Sequence, residues 1–132
     1  MLKAVIDTNV LVFALLSPSG SPARVFDHAL NGNVIICYDS RIIAEYQEVL
    51  QRAKFGFDKR AVNQIVDFII HSGASIVPEP MPEAFEDESD KVFYEVAKTA
   101  KGYLVTGNAK HFPKDPIVVG PQEFLSVVDS LR

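Results

Sequence analysis

Two polar side chains of this sequence follow apolar runs, at the places where a sheet protein could bind a ligand. Asp7 ends the run Leu2–Ile6, and Asn108 follows the run at residues 103–106. Runs with so little alternation are typical of parallel strands that are covered on both faces. Ligands bind to such sheets beyond the carboxyl ends of the strands. We therefore expect Asp7 and Asn108 to lie at the functional edge of the sheet.

Two further carboxylates extend this set, and both belong to predicted helices. Glu45 lies on the helix after the second strand, at the edge of its apolar face, and Asp90 opens the helix after an acidic stretch. We place both in the first turns of their helices, beside Asp7 and Asn108. Carboxylates brought together without a cation repel one another, and some become neutral. Three acids and an amide oxygen are best explained by a hard cation such as Mg²⁺ or Mn²⁺.

Each of these four side chains also has an ordinary structural explanation. Asp7 would cap the helix that begins near Thr8, and Asp90 would stabilise the positive end of a helix dipole. Glu45 would be a surface group at the border of the core, and Asn108 would belong to a Gly-Asn turn. The cation site therefore depends on a fold that brings all four together.

Five apolar, strand-like runs alternate with helical patterns, which favours parallel strands joined by helical crossovers. The runs are Leu2–Ile6, Val34–Tyr38 and residues 75–77, 103–106 and 117–119. Residues 78–82 contain three prolines and are predicted to form an extended connector. We predict an α/β protein: a three-layer α/β/α sandwich with a mainly parallel central sheet of about five strands, formed by residues 1–132 as a single domain.

Composition sets limits on the class of protein. The chain has 132 residues and is 48% hydrophobic, which is enough for a core without disulfides. No apolar run approaches the length of a membrane span. Met1 leads directly into a strand, so we expect no signal peptide and a cytoplasmic protein without membrane association. Cys37 is the single cysteine and lies in an apolar run, which predicts a buried thiol and not a nucleophile.

The charge balance is unusual for a protein that binds nucleic acid by bulk electrostatics. The sequence has 13 basic and 17 acidic residues, a net charge of −4, whereas such proteins are normally basic. The acids concentrate between residues 79 and 90, however, and a divalent cation would invert the field around them. The basic residues Arg52, Lys54, Lys59 and Arg60 form a separate cluster, either an RNA track or a solvated helix end.

Four motifs, in this order and spacing, resemble the PIN domain family over nearly the whole chain. They are Val5-Ile6-Asp7-Thr8-Asn9-Val10, Ser40 with Glu45 and Val49-Leu50, Asp90-Lys91 with Glu95-Val96-Ala97, and Val105-Thr106-Gly107-Asn108. The ending at residues 106–112 is similar to a bacterial branch of VapC-like toxins from toxin–antitoxin pairs. The resemblance implies a metal-dependent ribonuclease that leaves a 5′-phosphate and a 3′-hydroxyl.

The resemblance also implies roles for individual residues and partners. Asp7, Glu45 and Asp90 would be ligands of one or two Mg²⁺ or Mn²⁺ ions, and Asn9 and Thr106 would position water or a neighbouring ligand. No side chain needs to be the nucleophile, because metal ions of this kind activate the attacking water. The implied partners are an RNA substrate, an antitoxin protein and a second copy of the chain in a homodimer.

One position departs from the family pattern, because Asn108 stands where the family has a fourth acid. An amide oxygen can bind Mg²⁺ but brings no charge, so we expect weak metal binding and low activity. Asp87 would compensate with its own carboxylate. His111 would contact a substrate phosphate or a leaving group, or would simply be a surface loop histidine.

Two other hypotheses stand beside the ribonuclease. A catalytically weakened module would bind RNA or a protein partner without cleavage. A phosphatase with Asp7 as its nucleophile is disfavoured, because the segment Asp7-Thr8-Asn9 lacks the second acid that such an opening needs.

Overall fold

The five predicted strands form one parallel sheet. In this computed structural model, which describes residues 1–131, the strands are β1 (Leu2–Ile6), β2 (Val34–Tyr38), β3 (Ala74–Ser75), β4 (Tyr103–Val105) and β5 (Val118–Val119). Their spatial order is β3-β2-β1-β4-β5, and all four pairings are parallel. The predicted fold class is therefore confirmed, with β1 at the centre of the sheet.

Helices cover both faces of this sheet and make it the middle of three layers. The α-helices are α1 (Thr8–Leu16), α2 (Ser21–Leu30), α3 (Ser40–Leu50), α4 (Lys59–Ser72), α5 (Glu88–Ala100) and α6 (Pro121–Ser130). Helix α2 packs against α1 and α6, while α3 packs against α4 and α5. None of the described helices is long and apolar enough to cross a lipid bilayer.

Several element boundaries differ from the sequence prediction. The two strands β1 and β2 have the predicted bounds, but β3, β4 and β5 are shorter. Helix α5 begins two residues before Asp90, because the Asp87 carboxylate accepts a hydrogen bond from the Ser89 backbone N–H and caps the helix. The placement of Glu45 in the first turn of α3 was wrong. Since α3 begins at Ser40, Glu45 is its sixth residue and lies in the second turn.

The core lies between the sheet and its two helical layers. Its largest fully buried side chains include Tyr46, Phe93 and Phe124, each contributing about 1.5–3 kcal/mol through burial of its apolar surface. Cys37 is also fully buried, as the sequence predicted. Gly102 lets β4 approach β1, because a Cβ atom there would lie 2.7 Å from the Lys3 carbonyl oxygen.

The connection between β4 and β5, residues 106–117, contains only a short 3₁₀ helix (Ala109–His111). The other crossovers contain α-helices. Asp115 attaches this connection to α5, because its carboxylate accepts hydrogen bonds from the Tyr94 hydroxyl and the Lys98 ammonium, both at 2.9 Å. The connection is thus held against the middle and the carboxyl-terminal half of α5, the helix that carries Asp90.

Candidate active site

Asp7 lies directly after the central strand, and its side chain is buried. It occupies the position before α1, yet its carboxylate makes no capping hydrogen bond with that helix. Instead, Oδ2 accepts a hydrogen bond of 2.7 Å from the hydroxyl of Thr106, which follows β4. Since β1 and β4 are neighbours in the sheet, this bond joins two adjacent strand ends. The ordinary explanation of Asp7 as a helix cap therefore does not hold.

Glu45 is brought to the same edge of the sheet by two contacts of α3. The Thr8 hydroxyl, at the start of α1, donates a hydrogen bond to the Glu45 carboxylate. The next residue, Tyr46, donates its hydroxyl to the carbonyl oxygen of Ile6, the residue before Asp7. Consecutive residues of α3 thus contact the start of α1 and the end of β1. Glu45 is partly buried beside the Asp7 carboxylate.

Asp90 enters the site from α5. It is the third residue of that helix, and its side chain is 24% exposed. The Nδ1 atom of His111 lies 3.8 Å from the Asp90 Oδ2 atom, so the 3₁₀ helix after β4 also reaches this region. Asp87 is nearby but already serves as the cap of α5, with its Oδ1 atom bound to the Ser89 N–H and hydroxyl. Ser89 holds the pKa of the exposed Asp87 below its usual range.

The three acids influence one another electrostatically. Burial raises the pKa of Asp7, and the Glu45 carboxylate raises it further. Burial likewise raises the pKa of Glu45, with a further contribution from Asp90. For Asp90, burial raises the pKa first, and Asp7 and then Asp87 add to it. Each acid therefore repels another, which is the condition that a bound cation would relieve.

Asn108 joins the site through its backbone. Its N–H donates a 3.0 Å hydrogen bond to the Thr106 hydroxyl oxygen, which itself donates to Asp7. Thr106 therefore links the Asp7 carboxylate to the start of the β4–β5 connection. Asn9 lies on the exposed side of the first turn of α1.

The basic cluster has local partners of its own. Arg52 forms an ion pair with Glu48 one turn away, and the Lys54 ammonium lies 5.1 Å from the centroid of the Phe55 ring. These contacts favour the explanation of the cluster as a solvated helix end.

The donor set suits a hard cation, although it is not closed around one point. Within residues 1–131, no group of three or more His, Cys, Asp or Glu side chains could hold a metal ion as these side chains stand. The chemistry still fits, because three mutually repelling carboxylates present oxygen ligands of the kind that Mg²⁺ and Mn²⁺ prefer, and the Asn108 side chain would add an amide oxygen.

A pocket of about 470 Å³ opens beside Asp90. Residues 83–87, Asp90 and residues 110–113 line it, and we call it the side pocket. Its walls come from the acidic segment before α5 and from the β4–β5 connection. It is therefore adjacent to the carboxylates and open to a molecule bound there.

Comparison with known proteins agrees with this geometry. The family model described as PIN domain matches residues 3–110. This chain belongs to the PIN domain family. Among its relatives is the uncharacterized protein MJ1680 of Methanocaldococcus jannaschii, which is 27% identical over 113 residues, or 81% of this chain and 71% of the relative.

Two solved structures share the PIN fold seen here. PAE2754 from Pyrobaculum aerophilum has a TM-score of 0.64 and 17% identity, with 98% of this chain and 90% of that chain covered. VapBC2 from Rickettsia felis, solved with a DNA fragment from its promoter, has a TM-score of 0.60 and 19% identity, with 89% and 96% covered. At these identities the likeness shows the fold alone.

Sequence reasoning missed two residues that shape this PIN site. Thr8 holds the Glu45 carboxylate, and Tyr46 anchors α3 to the end of β1. Tyr46 lies on the buried apolar face of α3, but a buried hydroxyl normally needs a partner, and that need is a signal. Burial raises the pKa of Tyr46 well above its ordinary value, and the nearby Asp7 carboxylate adds to this. Thr8 gives no comparable signal, since a hydroxyl at a helix start is common.

Proposed function

We propose that this PIN domain is an endoribonuclease that depends on Mg²⁺ or Mn²⁺. In this proposal Asp7, Glu45 and Asp90 hold the metal, and Asn108 contributes an uncharged fourth ligand. The observation that carries the proposal is the convergence of these three acids at the carboxyl end of the sheet, where burial first, and repulsion from a neighbouring carboxylate in addition, raises the pKa of each. Repulsion of this kind is unfavourable unless a cation offsets it.

The chain's own residues would hold and orient this site. A bound divalent ion would supply an activated water and neutralise charge on the scissile phosphate. Thr106 fixes the orientation of the Asp7 carboxylate, and Thr8 does the same for Glu45. His111, more than half exposed and next to Asp90, would donate a proton or a hydrogen bond to a phosphate or leaving oxygen. Asn9, at the exposed start of α1, would orient water.

The biological setting is part of the same proposal. We infer that the chain is the toxin of a toxin–antitoxin pair, acts in the cytoplasm as a homodimer, and forms a single domain over residues 1–132. The similarity of residues 106–112 to VapC-like toxins supports this inference, and the shared fold with the VapBC2 structure is consistent with it.

The test is cleavage of a mixed-sequence single-stranded RNA with Mn²⁺, Mg²⁺ or EDTA. We expect metal-dependent cleavage by the unaltered protein, and its loss in Glu45→Gln and Asp90→Asn. Glu48→Gln is the matched control, because Glu48 lies on the same helix but faces solvent and pairs with Arg52. Equal loss in all three variants, or cleavage in EDTA, would contradict the proposed site.

A second candidate is a module that binds RNA or a protein without cutting it. The uncharged Asn108 and the open arrangement of the carboxylates favour this candidate. It predicts that folded protein binds RNA in EDTA as tightly as in Mn²⁺ and cleaves it under neither condition.

A further inference from the structure

The side pocket has two kinds of wall. Glu83, Glu86 and Asp87 come from the segment before α5, and Lys110 and His111 come from the β4–β5 connection. Its volume of about 470 Å³ lies within the roughly 300–1,000 Å³ that is typical of small-molecule sites. A pocket lined by carboxylate acceptors and by the Lys110 ammonium suits a ligand that carries both hydrogen-bond donors and a negative charge.

Two aromatic rings form the apolar part of this pocket. Phe85 and Phe112 meet edge to face, with 5.9 Å between their centroids. Phe112 is buried, whereas Phe85 stays partly exposed. Single-stranded RNA is commonly read by proteins that hold an unstacked base against an aromatic side chain. Phe85 offers such a surface.

Glu83 has a buried carboxylate oxygen, Oε1, that forms no hydrogen bond with any described residue. An unpaired buried acceptor is costly, and a native structure that keeps one calls for an explanation. The other acids of the wall differ, because Glu86 is exposed and Asp87 is bound to Ser89.

We propose, building on the ribonuclease function proposed above, that the side pocket receives one base of the RNA and that Glu83 selects guanine. Guanine presents two adjacent donors, N1–H and the N2 amino group, and the Glu83 carboxylate accepts both once its side chain turns the buried Oε1 atom into the pocket. Uracil presents one N–H between two carbonyl oxygens, which a carboxylate repels. Adenine and cytosine each present one amino group beside an acceptor nitrogen. Lys110 and His111 then contact the neighbouring phosphate, which positions the base without reading it.

The experiment measures binding without cleavage. Fluorescence anisotropy in EDTA is recorded for short labelled uridine oligonucleotides that carry one central guanosine, inosine, adenosine or uridine. We expect guanosine to bind roughly tenfold more tightly than uridine, as for a bidentate contact to a base edge. Inosine, which lacks the N2 amino group, falls between them.

Two variants assign this preference to one side chain. Glu83→Gln keeps the shape but places an amide where the carboxylate was, and we expect the ratio of guanosine to uridine affinity to fall to about one. Glu86→Gln removes the same charge from the same wall and keeps the preference. Equal affinities for all four oligonucleotides with the unaltered protein would overturn the proposal. A preference that survives in Glu83→Gln would overturn the role of Glu83.

Cleavage of the same oligonucleotides with Mn²⁺ separates this proposal from the ribonuclease. Metal-dependent cleavage with no base preference would leave the ribonuclease standing and overturn the guanine pocket. A Glu83-dependent preference without cleavage would support the pocket and count against the ribonuclease.

Discussion

Asp7 and Asp39 occupy equivalent places in the sheet. Each follows one of two adjacent parallel strands, each precedes a hydroxyl residue that begins a helix, and each is buried, with 8% and 7% of its surface exposed. Their surroundings differ. The Asp39 carboxylate accepts the Ile42 N–H at 3.0 Å and an ion pair from Arg41 at 2.9 Å. The Asp7 carboxylate accepts a hydrogen bond from the Thr106 hydroxyl and lies near the Glu45 carboxylate.

The difference shows that position in the fold does not decide what a carboxylate does. At Asp39 the carboxylate accepts the Ile42 N–H and pairs with the Arg41 guanidinium, and these contacts stabilise the start of α3. At Asp7 no lysine or arginine of the described residues forms an ion pair with the carboxylate, and burial together with Glu45 raises its pKa. A charge left uncompensated at the edge of a sheet is available for a ligand, and this is what marks a functional site.

Exchange of each aspartate for asparagine gives the largest expected contrast. Asp7→Asn removes a proposed metal ligand and should lower RNA cleavage by at least ~100-fold, since loss of even an outer partner of a ligand costs about 10–100-fold. Asp39→Asn keeps a capping oxygen and should leave cleavage unchanged. Initial rates with Mn²⁺ test both, with circular dichroism as the control for folding. Similar rates for the two variants would remove Asp7 from the site.

Loss of the Thr106 hydroxyl should weaken the site without removing a ligand. Thr106→Val keeps the shape but deletes the hydrogen bonds to Asp7 and from the Asn108 N–H. We expect a loss of about 10–100-fold in metal affinity or in the cleavage rate. Thr99→Val is the control, because its hydroxyl accepts only from the Glu79 N–H, in the connector before α5. Equal effects of the two changes would indicate a purely structural role for Thr106.

A negative charge added at position 108 should strengthen metal binding at the site that contains Asp7. Asn108→Asp adds a fourth acid, so Mn²⁺ affinity by calorimetry should rise several-fold, because ligand charge tunes the affinity of such sites. Asn63→Asp places the same charge on the exposed face of α4 and should change nothing. An unchanged affinity in Asn108→Asp would show that residue 108 is not a ligand.

The smallest expected effects are on stability, and they have opposite signs. Asp39→Ala removes a helix cap and should lower the free energy of unfolding by about 1 kcal/mol. Asp7→Asn should raise it at pH 7 in EDTA, because the charged form of Asp7 is disfavoured in the folded protein. Urea unfolding of both variants measures the two changes, and a loss of stability in Asp7→Asn would contradict the electrostatic account.

The gain in Asp7→Asn should also depend on pH. The pKa of Asp7 in the folded protein is raised above its ordinary value of 3.8. Between these two values the folded state holds more protons than the unfolded state, so the free energy of unfolding falls as the pH rises through this window. The advantage of the variant should therefore shrink as the pH is lowered to 3.8. A difference that is constant with pH would mean that another cause is responsible.

The sequence predicted the sheet more fully than the site. The strands β1 and β2 are long, buried apolar runs that end at Asp7 and Asp39, so pattern alone gives their bounds. Asp7 and Asn108 were predicted for the site because they follow strands, and Glu45 and Asp90 because of their places on the helices that come after strands or loops. The contacts that position them join residues far apart in sequence, 37 positions for Thr8 with Glu45 and 99 for Thr106 with Asp7. Local spacing carries no information about such pairs.

Glu83 illustrates the same limit. In the sequence it is one acid in a proline-rich acidic stretch, with nothing to separate it from Glu79 or Glu86. Its Oε1 atom becomes buried only in the folded chain, where that stretch and the β4–β5 connection together line the side pocket. Burial of a single atom is a property of the assembled fold.

The crossover between β4 and β5, which has no α-helix, carries the basic residues of the side pocket on a segment of its own. The proposed ligands Asp7, Glu45 and Asp90 lie on the sheet edge and on long helices, whereas Lys110 and His111 lie on this short connection, fastened to α5 through Asp115. Binding groups on loops are replaced more freely than the scaffold beneath them. Exchange of residues 109–114 between relatives should therefore change how tightly RNA is held through its phosphates, while the base preference stays with Glu83 and the proposed metal ligands stay with the host.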